Sequence, residues 1–398
     1  MRNFIPKLFV KIDNKEIFIF IGNVDEQNDL KIIEEIILPI QGLNENRISD
    51  IEKITDLFKK NILILEQKIN FTFKELVLIL DIFQISFTCI TGFKELNGSQ
   101  VSKENITYII NSLKSKVDEL EDGKKILHIF NSKHCLDKRE TANLPIGLYG
   151  DYYSHELSFI LMKNNDYKNL KNIFEKCNLK IKKILLESFV KGTFISDTSP
   201  EINTFIHVQI NENDCKIFYI ESESLKYEQK FSFGSDMVTK DIVKITSLDI
   251  NNIKKFIKNN QDLQNNSDTE LLDQEYFANK TFRKIKKKLI FDIAAARIKE
   301  LSEIIYFKNV NLNKSLNKIK GIYLEISDTE HLECFKRIYT NTYKLSENID
   351  IRFFAKPQLN DLLDRANKIV QFGWKKEAIP ITKPQKSFIS RLFQEIFN

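Results

Sequence analysis

The chain has 398 residues, 42% of them apolar and 29% charged, the balance of a folded protein with room for several lobes. Sixty Lys and Arg against 55 Asp and Glu leave a net charge of +5, too little over this length to predict a nucleic-acid-wrapping surface. Eleven glycines, set against a usual share of ~7%, leave few residues for the tight loops that wrap phosphates.

In chain order, 8–21 (LFVKIDNKEIFIFI) alternates apolar and polar side chains and predicts a hairpin around a polar turn at 13–15. Its lysines and Asp13 predict a strand pattern here and not a secretory apolar region. A helix is predicted over 49–65, with Ile51, Ile54, Leu57, Phe58 and Ile62 on one face behind the capping residues Ser49 and Asp50. Residues 87–162 read as a separate α+β insertion. It has a strand and turn (CITGFKELNGS), a helix over 103–120, a strand (KKILHIF), a loop marked by Pro145, Gly147 and Gly150, and a last strand (HELSFILM). Another helix covers 165–177. At 205–220, FIHVQINENDCKIFYI repeats the pattern of the first hairpin, followed by a third strand, LKYEQKFSF. The chain therefore reads as a structural duplication. Helices over 249–259 and 276–305, the latter as one long helix or two, flank a polar loop at 258–269.

Cys89, Cys135, Cys177, Cys215 and Cys334 are odd in number and far apart, which predicts reduced thiols in a cytosolic setting. His128, His134 and Cys135 are close in sequence, but no fourth ligand accompanies them, so they read as strand positions and no metal site is expected. Arg283, Lys284, Lys286, Lys287 and Lys288 put five cations in six positions. They predict a solvated helix face, with an acidic partner segment or anionic lipid as the functional reading.

The tail carries the clearest functional signal. Residues 375–386 hold two prolines and no periodicity and read as a tether. Beyond it, SFISRLFQEIFN places Phe388, Ile389, Leu392, Phe393, Ile396 and Phe397 on one half of a helix, with Arg391 among the polar residues of the other half. No apolar run of 18 residues lacks a charge, and twelve residues do not span a bilayer, but they can lie in its interface. Six side chains gaining roughly 1 kcal/mol each give ~5 kcal/mol before the cost of forming the helix. One copy binds weakly, and many copies on one polymer bind firmly.

The two hairpin halves, the insertion and the tethered amphipathic tail together resemble the bacterial cell-division FtsA family, actin-like proteins that tie FtsZ filaments to the inner membrane. ILHIF and LPIGLYG resemble motifs of that family's SHS2 subdomain. Leu185-Leu186-Glu187 resembles its V-L-E-P stretch, with Ser188 for proline. FGSDMVTKDI, with Gly234 and then Ser235 for a second glycine, resembles G-G-D-x-x-T-x-D-I, and AAARIKEL resembles an E-A-R-x-x-E helix. The resemblance implies an α/β, actin-like two-lobed fold. Its parts are a first half at 1–86 and 163–197, an SHS2-like insertion at 87–162, and a second half at 198–236 and 304–374. A partner-binding subdomain at 237–303, a tether at 375–386 and a membrane helix at 387–398 complete it. The implied partners are the FtsZ C-terminal peptide, docking on 237–303, the lipid surface, further copies of the chain in filaments, and other division proteins. The implied location is the cytoplasmic face of the inner membrane at the division site.

The family binds ATP with Mg²⁺ through two aspartates and glycine-rich turns, and here the sequence departs. Lys11-Ile12-Asp13-Asn14-Lys15 stands for D-I-G-T-T, and Gln209-Ile210-Asn211-Glu212-Asn213-Asp214 for D-I-G-G-G-T. Glu325-Ile326-Ser327 falls within the stretch that replaces an adenosine-side glycine cluster. A carboxylate such as Glu212 about 4 Å from a phosphate costs ~4 kcal/mol, nearly 10³ in affinity. No cofactor is therefore expected, and the chain reads as a pseudo-ATPase. Lys11 and Glu212 are further expected to pair across the cleft in place of a nucleotide. The rival readings are a pilus-assembly platform of the PilM type and an actin-fold ATPase or sugar kinase.

Overall fold

The computed structural model describes residues 5–44, 47–141, 143–260, 269–277, 281–313, 315–344 and 349–378. The chain divides into two compact units. The first holds residues 1–200, 222–226 and 357–398, and the second 201–221 and 227–356.

In the first unit the predicted hairpin is β1 (Lys7–Ile12) and β2 (Glu16–Val24), followed by β3 (Leu30–Pro39) and a two-residue ladder, β4 (Leu43–Asn44) with β5 (Arg47–Ile48). Helix α1 (Ile51–Ile69) starts where the Asp50 carboxylate accepts the Lys53 N–H, and ends at Asn70 in the left-handed conformation. It buries Ile54, Phe58, Ile62 and Leu65, the predicted face extended by one turn. Then come β6 (Glu75–Leu80), the insertion, α3 (Asn164–Lys176), β11 (Lys180–Leu186) and α4 (Glu187–Thr198). The main sheet has the order β11-β6-β1-β2-β3. β1, β2 and β3 meander antiparallel, whereas β6 and β11 join parallel to β1.

The insertion comprises β7 (Ile85–Glu95), α2 (Lys103–Leu120), β8 (Lys124–Leu136), β9 (Arg139–Thr141) and β10 (Tyr152–Lys163), in a separate sheet of order β7-β10-β8-β9. α2 has the predicted bounds. Ser102 and Asn105 cap it reciprocally, and Ile106, Ile109, Leu113 and Val117 pack it on the sheet. Gly92 permits this approach, since a Cβ there would stand 2.7 Å from Ile109 Cγ2.

The second unit repeats the plan. β12 (Phe205–Ile210), β13 (Cys215–Glu221) and β14 (Ser224–Phe231) meander, then α5 (Asp236–Thr246), α6 (Ile250–Asn259) and α7 (Lys287–Ser302) precede β15 (Gly321–Ile326), α8 (Thr329–Tyr343) and β16 (Asp350–Phe353). The sheet order is β14-β13-β12-β15-β16, with β15 and β16 parallel to β12. The same five-strand order in both units is the duplication legible in the hairpins, and the fold is actin-like. The last helix among the described residues, α9 (Leu359–Phe372), returns to the first unit.

Three expectations change here. Residues 276–305 are not continuous helix: α7 starts only at Lys287, and a π-helical turn at Glu303–Phe307 follows it. The basic run is accordingly no helix face. Its first half is extended and pairs with 270–272, through Leu272 N–H to Ile285 O at 2.8 Å and Lys287 N–H to Glu270 O at 2.9 Å. Burial of Ile285 in the core holds it there. The predicted tether also starts too early, because Lys376–Ala378 is hydrogen-bonded to β8. The amphipathic segment, with Phe388, Ile389, Arg391, Leu392, Phe393, Ile396 and Phe397, lies outside the described residues.

Candidate functional site

Ligands of open α/β sheets collect beyond the carboxyl ends of the parallel strands. In the first unit those ends are Ile12 of β1, Leu80 of β6 and Leu186 of β11, next to one another in register. Lys11 and Asp13 are delivered there by β1, Asp81 by β6, and Glu187 by the first residue of α4. Lys11 is 6% exposed, with Nζ 3.2 Å from Glu187 Oε2, 3.5 Å from Asp13 Oδ2 and 5.2 Å from the centre of the Phe18 ring. Lys191, one turn along α4 and equally buried, reaches Glu187 Oε1 at 3.3 Å. Burial pulls the Lys11 ammonium toward neutrality, but the charges of Glu187, Asp13 and Asp81 outweigh it and raise its pKa above the ordinary lysine value. Lys11 is thus a buried, charged ammonium.

The turn that follows is closed by Asp13. Its Oδ1 accepts the N–H groups of both Lys15 and Glu16, each at 2.9 Å, while Asn14 is exposed at the tip.

The corresponding turn of the second unit is satisfied differently. Asn211 N–H bonds to Asp214 O at 2.9 Å and Asn211 Nδ2 donates to Asp214 Oδ1 at 2.7 Å. Gln209 Nε2 donates to Asn211 Oδ1 at 3.3 Å, and Ser327 Oγ to the same oxygen at 2.5 Å. At the start of α5 the Ser235 and Asp236 N–H groups donate, each at 2.9 Å, to the carbonyls of Asn211 and Glu212. Gly234 makes this contact possible: a Cβ would lie 2.2 Å from Asn211 O and 2.4 Å from Glu212 O. Glu325 is buried beside His207, with Oε2 3.1 Å from Nε2, and Ile326 belongs to the core. Asn213 and Glu212 line a cavity of about 460 Å³, whose rim also carries Asp236, Asp328 and Glu330 against Lys240 and Lys254.

Lys11 and Glu212, which the sequence reading pairs, each have partners inside their own unit. Lys11 engages Glu187 and Asp13, and Glu212 sits 3.4 Å from Lys254 on the surface. In the sequence Glu187 stands only as the end of the Leu185-Leu186-Glu187 stretch that resembles V-L-E-P. Its i,i+4 spacing to Lys191 is local, but nothing in the sequence marks Lys11 as its second partner, because Lys11 reaches it through the parallel sheet.

The basic run is dispersed. Arg283 donates to the Thr246 carbonyl, Lys287 lies 3.6 Å from Glu270 and 3.8 Å from Asp273, and Lys288 stands in the first turn of α7. Lys284 and Lys286 project as exposed residues. His128 bonds Glu377, and His134 Nδ1 is 3.5 Å from the Tyr153 hydroxyl. Among the described residues no three His, Cys, Asp or Glu side chains are grouped to hold a metal ion, and no helix is long and apolar enough to cross a membrane.

No family model matches the chain. It is 22% identical to a Cell division protein FtsA of Buchnera aphidicola subsp. Schizaphis graminum, over 98% of this chain and 96% of that one. To the protein of the same name from Escherichia coli K12 it is 20% identical, over 58% of this chain and 55% of that one. Among solved structures, a PilM-PilN type IV pilus biogenesis complex aligns with a TM-score of 0.49 at 10% identity, covering 92% and 96% of the two chains. MreB 5 of Spiroplasma citri bound to AMPPNP aligns with 0.42 at 10% identity, covering 98% and 99%. The resemblance carried by the motifs therefore holds along almost the full length: the chain is similar to the FtsA cell-division proteins.

Proposed function

We propose that the chain is a cell-division protein that tethers FtsZ filaments to the cytoplasmic face of the inner membrane, and that it does so without ATP. The observation that carries this is similarity over 98% of the chain to a protein named for cell division, combined with the apolar helical face written into 387–398. The FtsZ C-terminal peptide is placed on the second unit's helical subdomain, where Lys284 and Lys286 offer exposed charge to an acidic segment. Further copies of the chain and other division proteins are the remaining partners. The nucleotide-free part of the reading is supported by the two turns. The first turn's amides are bonded to Asp13, the second turn's carbonyls face the start of α5, and carboxylates outnumber ammonium groups around the neighbouring cavity. That chemistry does not suit a triphosphate.

Flotation with vesicles of anionic and zwitterionic lipid tests the tether. The full chain is expected to float and to carry purified FtsZ with it, whereas a chain ending at Ala378 is expected to stay at the bottom. The cut belongs after Ala378, because Glu377 and Ala378 are buried. Equal flotation of both chains refutes the tether.

A further inference from the structure

We infer that the Asp13 carboxylate and the Lys11 ammonium are a built-in substitute for a phosphate and its cation, so that the first unit holds permanently the charge arrangement a ligand would otherwise complete. The inference rests on the nucleotide-free reading above and goes further, since it assigns a positive role to the residues that replaced the ligand loops.

The geometry is that of an anion site already filled. Two consecutive backbone N–H groups, of Lys15 and Glu16, converge on one oxygen of Asp13 at 2.9 Å. Successive amides turned toward one point form the concave donor set that backbone turns offer to anions. The second Asp13 oxygen faces Lys11 Nζ at 3.5 Å, and the ammonium bridges onward to Glu187 at 3.2 Å. A cation held between an amide-bound anion and a protein carboxylate is the charge order of a phosphate, a metal ion and its ligand. Here every member is covalently part of the chain. The position supports the same reading, since the cluster sits where the three parallel strands end and ligands of such sheets collect. An adventitious surface pair explains it poorly, because Lys11, Glu187 and Lys191 are all buried and such burial is unfavourable unless each charge is answered. The Lys11 ammonium also lies over the face of the Phe18 ring, 5.2 Å from its centre, which favours the charged form.

The substitution makes the chain's own turn testable as an anion site. Asp13→Gly removes the carboxylate, leaves the two amides unfilled and leaves Lys11 charged beside them. Inorganic phosphate should then occupy the place. The assay is thermal melting of the full chain, followed by fluorescence of the single tryptophan, Trp374, which belongs to the same unit. Asp13→Gly is expected to melt roughly 5 °C lower than wild type. Inorganic phosphate at ~20 mM, against chloride of matched ionic strength, is expected to return half or more of that loss by mass action. Wild type and Asp13→Asn, whose side-chain oxygen still fills the amides, are expected not to respond. If Asp13→Gly does not fold in chloride, recovery of its circular dichroism in phosphate supports the inference and failure to recover overturns it. Phosphate that moves all three proteins alike, or none, also overturns it. The same melt of wild type with Mg-ATP addresses the underlying reading separately, since a rise there refutes nucleotide independence itself.

Discussion

Glu377 fastens the end of the described chain to the first unit, and its replacement should be felt well beyond its own position. The carboxylate is 6% exposed; Oε2 accepts from Lys183 of β11 at 2.7 Å and Oε1 from His128 of β8 at 3.2 Å. The flanking backbone is tied to β8 by Asn131 N–H to Lys376 O and Ala378 N–H to Ile129 O, both at 2.7 Å. Burial alone would push the Glu377 carboxyl up, but the charge of Lys183 and the hydrogen bond from His128 outweigh it and hold the pKa at about 2 instead of 4.5. A group depressed by that much stabilises the fold by about 3 kcal/mol at neutral pH. Removing one partner of a buried pair typically costs 3–5 kcal/mol, which agrees. Glu377→Gln keeps the shape and removes the charge, leaving Lys183 without its partner carboxylate. Urea unfolding followed by Trp374, three residues away and 5% exposed between Arg365 and Lys375, should show the midpoint fall by about 1 M. The wild-type advantage is present above pH 4.5 and lost as pH falls toward 2, so the two proteins should converge in acid. Lys183→Met should cost a similar amount, and the double variant less than the sum. A Glu377→Gln midpoint equal to wild type, or strictly additive singles, refutes the account.

Three further outcomes are expected. His134 and His155 are held by burial at about 4 and about 3, and His331 at about 4, so on acidification the unfolded chain takes up protons that the fold resists. Stability should therefore fall below pH 6.5, by on the order of 2 kcal/mol per histidine at pH 5, measured as urea midpoints across pH; flat midpoints between pH 7 and 5 speak against it. Gly234→Ala sets a Cβ 2.2 Å from the Asn211 carbonyl and should destabilise the second unit by about 2 kcal/mol, read from its urea midpoint by circular dichroism. Phe393→Asp should weaken vesicle binding by about 2 kcal/mol, roughly 30-fold, in a flotation titration, with the melting temperature unchanged.

The parts of the fold legible in the sequence are those fixed by local periodicity. The hairpins β1–β2 and β12–β13 each read as two apolar stretches around a polar turn, so strand, turn and duplication can all be read without the structure. α2 is legible to the residue because Ser102 and Asn105 mark its start and its apolar spacing is regular. Over 276–305 charge and helix propensity both favour helix, whereas α7 begins only at Lys287. What decides the matter is non-local, namely the pairing of 285–287 with 270–272 and the burial of Ile285. At the candidate site the sequence identifies which residues replaced the glycines and aspartates. It does not identify their partners, since Glu187 lies 176 positions from Lys11 and Glu377 lies 194 from Lys183. Such pairs are set by strand order, which no window of sequence contains.

The two halves solve one geometric problem by different means. In both, a tight turn joins the first two strands of a meander, directly before the point where parallel strands end. Such a turn exposes amides that need acceptors. In the first unit a side chain supplies the acceptor, and the resulting negative charge requires Lys11, which in turn draws in Glu187 and Lys191. In the second unit the Asp214 carbonyl takes the Asn211 N–H, the turn's carbonyls in turn accept the first amides of α5, and at Gly234 nothing larger fits. The first solution depends on ionisation and the second on close packing. At these two turns, therefore, a change of charge should injure the first and a change of volume the second.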